Sequence, residues 1–297
     1  MNLDSLQNGL NQMKEIVERA ITTRTFIKAN GELSRVYANG NSALKACQQS
    51  TSHIQPIHES VKLSLTSEFQ DRGEVANHLF PPIGERMPEI VVPGWKNKTQ
   101  DIVITFGETE DFEGNILAGP DIETAIVVGI RSQLKSVQKN KDTIIERTVA
   151  EPFLTRFAHV RITMGELFIL PVEEYLPHGQ NSTNVGYTAV STLTGMNVVE
   201  WYLDNFLRMA NRTDVNDWRH HLRYERACIV IVRMEEDLPR FYRTLQEMHV
   251  DEIVSEEFYN ANHEAYDQHL SPVNFARDLV AAHRERWPLL YAANEHQ

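Results

Sequence analysis

The chain has 297 residues, 41% hydrophobic and 24% charged, which is enough to bury a sizeable interior. Its formal net charge of −12 argues against a protein that coats nucleic acid, because the surface of such a protein is usually basic. No apolar run approaches the roughly 20 residues of a membrane-spanning helix, and the first residues lack the pattern of a secretory signal. Cys47 and Cys228 lie far apart, which argues against a disulfide framework or a zinc ribbon. We therefore expect a cytoplasmic protein without membrane contact.

The N-terminal segment carries apolar residues at alternating spacings of three and four, which predicts a helix. These residues are Leu3, Leu6, Leu10, Met13, Val17 and Ala20. Packing on the body of the protein and a dimer contact both suit such a seam. A second helix is predicted over Ile54–Phe69, and residues 29–42, rich in Gly, Asn and Ser, are predicted as loop. Residues 1–80 would form an N-terminal helical arm.

From Pro81 onward, short β-rich runs alternate with helical segments. The predicted strands are Ile90–Val92, Asp101–Phe106, Ala125–Ile130, Leu167–Val172 and Ala227–Met234. The predicted helices are Leu134–Phe157, Asn197–Met209, Asp237–Met248 and Ser271–Arg284. Continuous apolar strands indicate burial on both faces. Residues 81–297 are therefore predicted to form an α/β core with a mixed central β-sheet flanked by helices.

The segment from Asp101 to Glu151 holds the residues best suited to chemistry. Metal-assisted hydrolysis of a phosphodiester needs acidic side chains for a divalent ion and a cation beside the developing charge. Asp101 opens one predicted strand, Arg131 ends the next, and Glu146 lies on the helix that follows. Basic residues concentrate in the same window, at Arg131, Lys135, Lys139, Lys141 and Arg147. A helix with such charges is also a common solvated face, with pairs three and four residues apart.

A resemblance to a known family appears in this window. Residues 129–151 read G-I-R-S-Q-L-K-S-V-Q-K-N-K-D-T-I-I-E-R-T-V-A-E. The run resembles a segment of bacterial type II restriction endonucleases of the PD-(D/E)XK class, approximately S-x-R-S-Q-L-S-S-x-x-K-N-x-D-T-x-x-E-R-T-x-A-E. Three shorter stretches also resemble the family and follow in the same order along the chain: Gln100-Asp101, Gly165-Glu166 and Tyr224-Glu225-Arg226. The resemblance covers roughly residues 85–285 and implies a restriction-endonuclease-like core.

The resemblance also implies roles for individual residues. Asp101 would be the first metal ligand, and Glu146 a carboxylate that has moved from the strand to the helix, with Mg²⁺ as the ion. Arg131 would stand where these enzymes usually place a lysine. It would steady the phosphate together with Gln133 or Lys135.

The helix that follows would then face DNA. Lys135, Gln138 and Lys139 would contact base edges or phosphates.

The sequence departs from the family pattern at one central position. Gly129 and Arg131 stand where an E-x-K motif would lie, so the middle carboxylate is missing. Arginine can position a phosphate but is unsuited to act as a general base. Asp121, which follows Pro120, is an alternative first ligand; Asp101 is preferred because it heads an apolar strand.

The sequence thus predicts a Mg²⁺-dependent endonuclease that cuts double-stranded DNA at a specific sequence in a bacterial cytoplasm. A symmetric site would require two subunits, so a homodimer is expected, with a heteromeric partner as the alternative. The competing prediction is a non-catalytic DNA-binding or interaction protein on a degenerate nuclease fold. Convergence of Asp101, Arg131 and Glu146 would favour the enzyme, whereas pairing of Arg131 with Glu123 or Glu151 would favour the binder. An RNA- or structure-directed nuclease is a third, less favoured class.

Overall fold

A six-stranded mixed β-sheet forms the centre of the molecule. The computed structural model describes residues 1–28, 30–69, 78–85, 90–106, 112–113, 115–117, 120–176, 184–190 and 197–292. The helices are α1 Leu3–Thr23, α2 Gly40–Gln49, α3 Gln55–Thr66, α4 Val137–Arg156, α5 Val198–Met209, α6 Leu245–Val250, α7 Glu256–His269, α8 Phe275–Arg286 and α9 Leu289–Ala292. The strands are β1 Leu79–Phe80, β2 Ile90–Val92, β3 Lys98–Gln100, β4 Ile102–Ile104, β5 Phe112–Glu113, β6 Ile116–Leu117, β7 Ile126–Ser132, β8 Thr163–Pro171, β9 Glu173–Tyr175, β10 Tyr187–Ala189, β11 Arg226–Arg233 and β12 Arg240–Phe241.

The strand order of the central sheet is β1-β4-β7-β8-β11-β12. β7, β8 and β11 are parallel neighbours, whereas β4 and β12 run antiparallel to β7 and β11. β8 is buried along its whole length. Its apolar sequence follows from coverage on both faces, which is the usual environment of parallel strands. Two smaller sheets, β3-β2-β6-β5 and β10-β9, lie outside it.

Helices cover both faces of the central sheet. On one face, α1, α3 and α8 place Leu10, Val61 and Leu279 in a cluster with Leu167 of β8. On the other face, α5, α6 and α7 pack against Phe168 and the neighbouring strand residues. The mixed α/β class and the helix-flanked mixed sheet are thus confirmed.

The predicted N-terminal helix is also confirmed, and its seam is buried inside the chain. Leu6, Leu10, Met13 and Val17 are buried, and α1 packs against α2 and α3. The apolar face of α1 was predicted either to pack within the chain or to form a dimer contact, and in this fold it packs within the chain.

Several predicted boundaries were wrong. A helix begins at Gly40, inside the predicted loop, where the Asn39 side chain accepts a hydrogen bond from Ser42 N. The helix predicted from Asp237 begins only at Leu245, because Arg240–Phe241 pairs with β11 as an edge strand. Helix α7 escaped prediction because, of its described residues, only Tyr266 is buried, which leaves little apolar periodicity. The predicted strand Leu167–Val172 begins earlier, at Thr163.

None of the helices in the described part of the chain combines the length and the apolar character that crossing a bilayer demands.

Candidate functional site

Four elements bring charged side chains together on one face of the central sheet. Asp101 immediately precedes β4, Arg131 lies near the end of β7, Glu166 lies in β8, and Glu151 lies on α4. Strand register sets this arrangement, because Gly129 of β7 is directly paired with Glu166. We call these four residues the Arg131 cluster.

The guanidinium of Arg131 lies between two carboxylates. It forms an ion pair with Glu151, and its Nη1 lies 3.0 Å from Oε1 of Glu166. Nη1 also donates a hydrogen bond to Oγ1 of Thr148, at 3.3 Å. Thr148 and Glu151 are three residues apart on α4, so both face the sheet. Arg131 is therefore held by the helix on one side and by β8 on the other.

Asp101 is anchored to the strand that carries Arg131. Its Oδ2 accepts a hydrogen bond of 2.7 Å from the backbone N–H of Ile130. Its Oδ1 lies 3.9 Å from Nε2 of His58, which comes from α3. The Asp101 side chain is 35% exposed. Asp101 is thus the carboxylate of the cluster that is most open to solvent.

Glu166 lies over Gly129, the position at which the sequence lacks a carboxylate. A Cβ built at residue 129 would collide with Oε2 of Glu166. The Glu166 side chain is fully buried. Apart from the ion pair through Oε1, its oxygens have no hydrogen-bond partner among the described residues. The absence of a side chain at Gly129 therefore makes room for a carboxylate from the neighbouring strand.

Burial and mutual repulsion shift the acid–base properties of the cluster. Burial raises the pKa of Glu166 to about 8; Arg131 opposes this rise, while Glu151 and Asp101 add to it. Burial likewise raises the pKa of Asp101 to about 6, against the hydrogen bond from Ile130 and the charge of Arg131. Burial alone would lower the pKa of Arg131, but Glu166 and Glu151 outweigh it and raise that pKa. Arg131 therefore stays charged, whereas Glu166 and Asp101 bind protons more readily than ordinary carboxylates do.

Two of the predicted catalytic residues meet in this cluster. Asp101 and Arg131 are brought together, whereas Glu146 is exposed and forms no hydrogen bond or ion pair with another described residue. Glu146 and Glu151 are five residues apart, so their side chains diverge by about 140° around the helix. Glu151 therefore holds the inner position for which Glu146 was predicted. The side chain of Asp121, the alternative first ligand, lies outside the described residues.

The remaining predicted residues surround the start of α4. Gln133 donates a hydrogen bond to the backbone carbonyl of Lys135, and Lys135 donates one of 2.5 Å to Oδ1 of Asn41. Gln138 is half-buried and Lys139 is exposed. These residues form a polar border near α2 and do not contact the Arg131 cluster through any hydrogen bond or ion pair of the described residues.

Three residues of the site were missed by sequence reasoning or given no role. Glu151 was considered only as a pairing partner of Arg131 in the non-catalytic alternative, and its spacing from Thr148 was the signal that could have placed it in the site. Glu166 follows Gly165 in a piece that supports the resemblance, but only strand register places it over Gly129. His58 comes from α3, and no local pattern links it to Asp101.

The chemistry of the donors suits a hard divalent cation, because all three acidic groups offer carboxylate oxygens. The partnerless Oε2 of Glu166 is consistent with this use. The arrangement around Arg131 is less suitable. Among the described residues, no group of three His, Cys, Asp or Glu side chains is positioned to hold a metal ion. An ion at this site would therefore require the Arg131 guanidinium to shift from its place between Glu151 and Glu166.

Known protein families, curated proteins and solved structures give no match to this chain. The fold and site therefore define the class only as a mixed α/β protein with a buried carboxylate–arginine cluster on its central sheet.

Proposed function

We propose that this chain is a Mg²⁺-dependent endonuclease of double-stranded DNA, built on a restriction-endonuclease-like core. One observation carries the proposal: the carboxylate of Glu166 lies over Gly129, beside Asp101 and Arg131. The carboxylate that the E-x-K position lacks is thus available from the neighbouring strand. In the proposed site, Glu166 would stand in for the missing carboxylate and Arg131 for the usual lysine.

In this proposal, the metal ligands come from Asp101 and Glu166, with Glu151 in place of Glu146. When bound, Mg²⁺ supplies charge stabilisation at the scissile phosphate and a more acidic water. Arg131, which pairs with Glu151 and Glu166, would be the cation beside the phosphate, a recognition for which arginine is well suited.

The same proposal assigns the DNA contacts around the start of α4. Lys135, Gln138 and Lys139 are polar or basic and lie within eight residues of Arg131 in sequence. Phosphate contacts from such side chains would fix the register of the duplex, and Gln138 would be suited to a base edge. A homodimer would present two such surfaces to a symmetric site.

A second candidate is a non-catalytic DNA-binding or interaction protein on the same fold. The ion pairs of Arg131 with Glu151 and Glu166 favour it, because an arginine held by two carboxylates is satisfied within the protein. The Arg131–Glu151 pair is the arrangement expected of this alternative, and the convergence of Glu146 with Asp101 and Arg131 that was expected of the enzyme does not occur. In that case the cluster would be a buried ionic network, and it would fix the packing of α4 on the sheet.

Incubation of the protein with phage λ DNA and Mg²⁺ tests the proposal, with EDTA and Asp101→Ala as controls. The endonuclease predicts discrete fragments that disappear in both controls. Calorimetric titration with Mn²⁺ adds a readout that does not depend on finding the right DNA sequence. Intact DNA together with no Mn²⁺ binding would favour the non-catalytic protein.

A further inference from the structure

A second charged cluster lies around Glu225, which immediately precedes β11. Oε1 of Glu225 accepts hydrogen bonds from Arg212, at 3.0 Å, and from Arg286, at 2.7 Å. Oε2 accepts from Arg156 at 2.6 Å and from the backbone N–H of Met164 at 2.7 Å. The side chains of Glu225, Arg156 and Arg212 are fully buried. Three guanidinium groups thus converge on one carboxylate.

The charges in this cluster do not balance. Glu225 compensates one of the three arginines, and backbone carbonyls partner the others, among them those of Arg223 for Arg156 and of Val160 for Arg212. Carbonyl dipoles offset only part of the cost of taking a full charge out of water. Burial lowers the pKa of Arg156 to about 9, and Arg212 and Arg286 add to this effect against Glu225. The cluster therefore holds surplus positive charge in the interior.

An open cavity of about 760 Å³ adjoins this surplus charge. Its charged wall residues are Arg161, Arg212, Arg226, Arg277, Arg286, Glu225, Asp278 and Glu285. Five arginines against three carboxylates leave a formal charge of +2 on the wall, to which Arg156 adds one more from behind Glu225. His269 also lines the cavity, and Glu123 lies close enough to affect Arg212. In a chain with a net charge of −12, this is a local reversal of sign.

The start of a helix lies at the cavity wall. Asn274, which lines the cavity, precedes the 12-residue helix α8 and makes no capping hydrogen bond with its side chain. Uncapped N–H groups at a helix start favour anions. The Nε atoms of Arg212 and Arg226 also have no hydrogen-bond partner among the described residues, but they are buried beneath the wall and out of reach of a ligand. The helix start therefore adds to the positive potential that the buried arginines produce in the cavity.

We propose that this cavity binds a phosphate-bearing ligand. Arg161 and Arg277 are exposed residues of the wall, and a guanidinium group matches the oxygen geometry of phosphate. The buried arginines add a surplus of two to three positive charges, which calls for a polyanion. The volume lies within the range of small-ligand sites, roughly 300–1,000 Å³. Two sources share this chemistry: a free nucleotide carrying a polyphosphate, and the phosphates of a nucleic-acid strand.

This site goes beyond the proposed nuclease function and does not depend on it. The cavity wall includes none of Asp101, Arg131, Glu151 and Glu166. Binding can therefore be measured in EDTA, where a metal-dependent reaction is silent. The Asp101→Ala variant should bind the phosphate ligand as the unaltered protein does.

The test is calorimetric titration in EDTA with pyrophosphate, ATP and a single-stranded DNA 12-mer. Arg277→Gln removes a charge at a side chain that is 62% exposed, and Ala281→Glu adds a negative charge at an exposed position of the wall. Both positions lie on the surface, so both variants should fold, which circular dichroism verifies. Arg208→Gln is the matched control, because Arg208 is also exposed and paired with an aspartate but lies outside the cavity wall.

Binding of pyrophosphate or ATP that weakens about tenfold in Arg277→Gln and Ala281→Glu, and less than about twofold in Arg208→Gln, is the expected result. Competition separates the two sources. Displacement of bound ATP by the 12-mer points to a nucleic-acid strand, and failure of the 12-mer to bind points to a free nucleotide. No binding of any of the three ligands, or equal affinities in the two cavity variants and the control, would overturn the proposal.

Discussion

At the scale of single residues, the carboxylate of Glu166 approaches Gly129 closely across the paired strands β7 and β8. A residue with a side chain at position 129 would occupy the space of the Glu166 carboxylate. Glycine here serves close packing between neighbouring strands, since a Cβ has no room. The sequence shows only that position 129 lacks the carboxylate of an E-x-K pattern, whereas the strand register shows that Glu166 lies over this position.

Gly129→Ala should lower the free energy of unfolding by about 1–3 kcal/mol, because the new methyl group collides with a buried side chain. In a Glu166→Ala background, the same change should cost less than about 1 kcal/mol, since the colliding carboxylate is gone. Urea unfolding of the unaltered protein, the two single variants and the double variant gives the coupling free energy between positions 129 and 166. Equal costs in both backgrounds would show that Glu166 does not occupy the space over residue 129.

Glu225 should be among the residues most sensitive to a neutral substitution. Glu225→Gln leaves Arg156, Arg212 and Arg286 without their shared counter-charge, which should cost about 3–5 kcal/mol of unfolding free energy. Asp204→Asn is the control, because its pair with Arg208 is solvent-exposed and is expected to contribute at most about 1 kcal/mol. If Glu225→Gln lowers the free energy of unfolding no more than Asp204→Asn does, Glu225 is not the buried counter-charge of the three arginines.

Sequence reasoning reached some of these residues and not others. Asp101 and Arg131 were found because each stands at the end of an apolar strand, a position that a local pattern reveals. Tyr224, Glu225 and Arg226 support the resemblance, and the sequence also suggests a structural ion pair among them, beneath the strand that follows. The structure pairs Glu225 instead with arginines from three distant segments. Pairings across such sequence separations depend on the tertiary fold, which no local pattern encodes.

At the scale of elements, strongly periodic helices were predicted well and polar helices poorly. The α1 seam is buried as its spacing implies. Helix α7 has little such spacing and was missed, and α2 was hidden by the Gly- and Asn-rich run before it. The start of α4 was predicted at Leu134 but lies at Val137. Glu174 accepts hydrogen bonds from the backbone N–H groups of Ser136 and Val137, a nonlocal contact that fixes where the helix begins.

Shortening one buried side chain of α1 tests how much the packing of the N-terminal helices on the sheet contributes to stability. Leu10→Ala should lower the free energy of unfolding by about 2–5 kcal/mol, because Leu10 is fully buried in the cluster that includes sheet residues. Glu15→Ala, at an exposed position of the same helix, should change it by less than about 0.5 kcal/mol. Chemical denaturation monitored by circular dichroism measures both. Similar small effects in the two variants would mean that α1 contributes little to the cooperative core.

At the scale of the whole molecule, stability should depend on pH through histidines that are buried in the neutral form. His283 has hydrogen-bonding contacts of 2.7 Å to the Thr124 carbonyl and 2.6 Å to the Tyr291 hydroxyl. Burial lowers its pKa to about 4, with Arg286 acting in the same direction and the hydrogen bond to Thr124 opposing it. Between about pH 4 and its ordinary pKa of 6.5, the unfolded chain binds the extra proton. Stability from this group is therefore present above pH 6.5 and is lost as the pH falls toward 4.

His283→Gln should flatten the pH dependence of unfolding in this window by up to one proton, about 1.4 kcal/mol per pH unit. Urea midpoints at several pH values between 4 and 7 measure the slope. His220→Gln is the control, since His220 lies in the short 3₁₀ turn Trp218–Leu222, in which no residue is buried. An unchanged slope in His283→Gln would contradict a neutral buried His283.

The distribution of charge over the molecule is the other whole-molecule feature. Acidic groups concentrate at the Arg131 cluster and arginines at the Glu225 cavity, both within a chain of net charge −12. Net charge alone would have argued against nucleic acid as a partner. The local distribution matters more than the net charge, since the electrostatic potential near a cleft depends on the charges around it, and the proposed phosphate ligand lies where arginines concentrate.

The most direct measurement of the central claim compares the initial rates of Mg²⁺-dependent λ DNA cleavage by Glu151→Gln and Glu146→Gln. Both variants replace a glutamate of the same helix with its amide, but only Glu151 reaches the Arg131 cluster. We expect Glu151→Gln to lower the rate by about a hundredfold or more, because a proposed metal ligand is lost, while Glu146→Gln stays within about twofold of the unaltered protein. Loss of activity in Glu146→Gln with Glu151→Gln unaffected would contradict the proposed site, and intact DNA with the unaltered protein would contradict the nuclease itself.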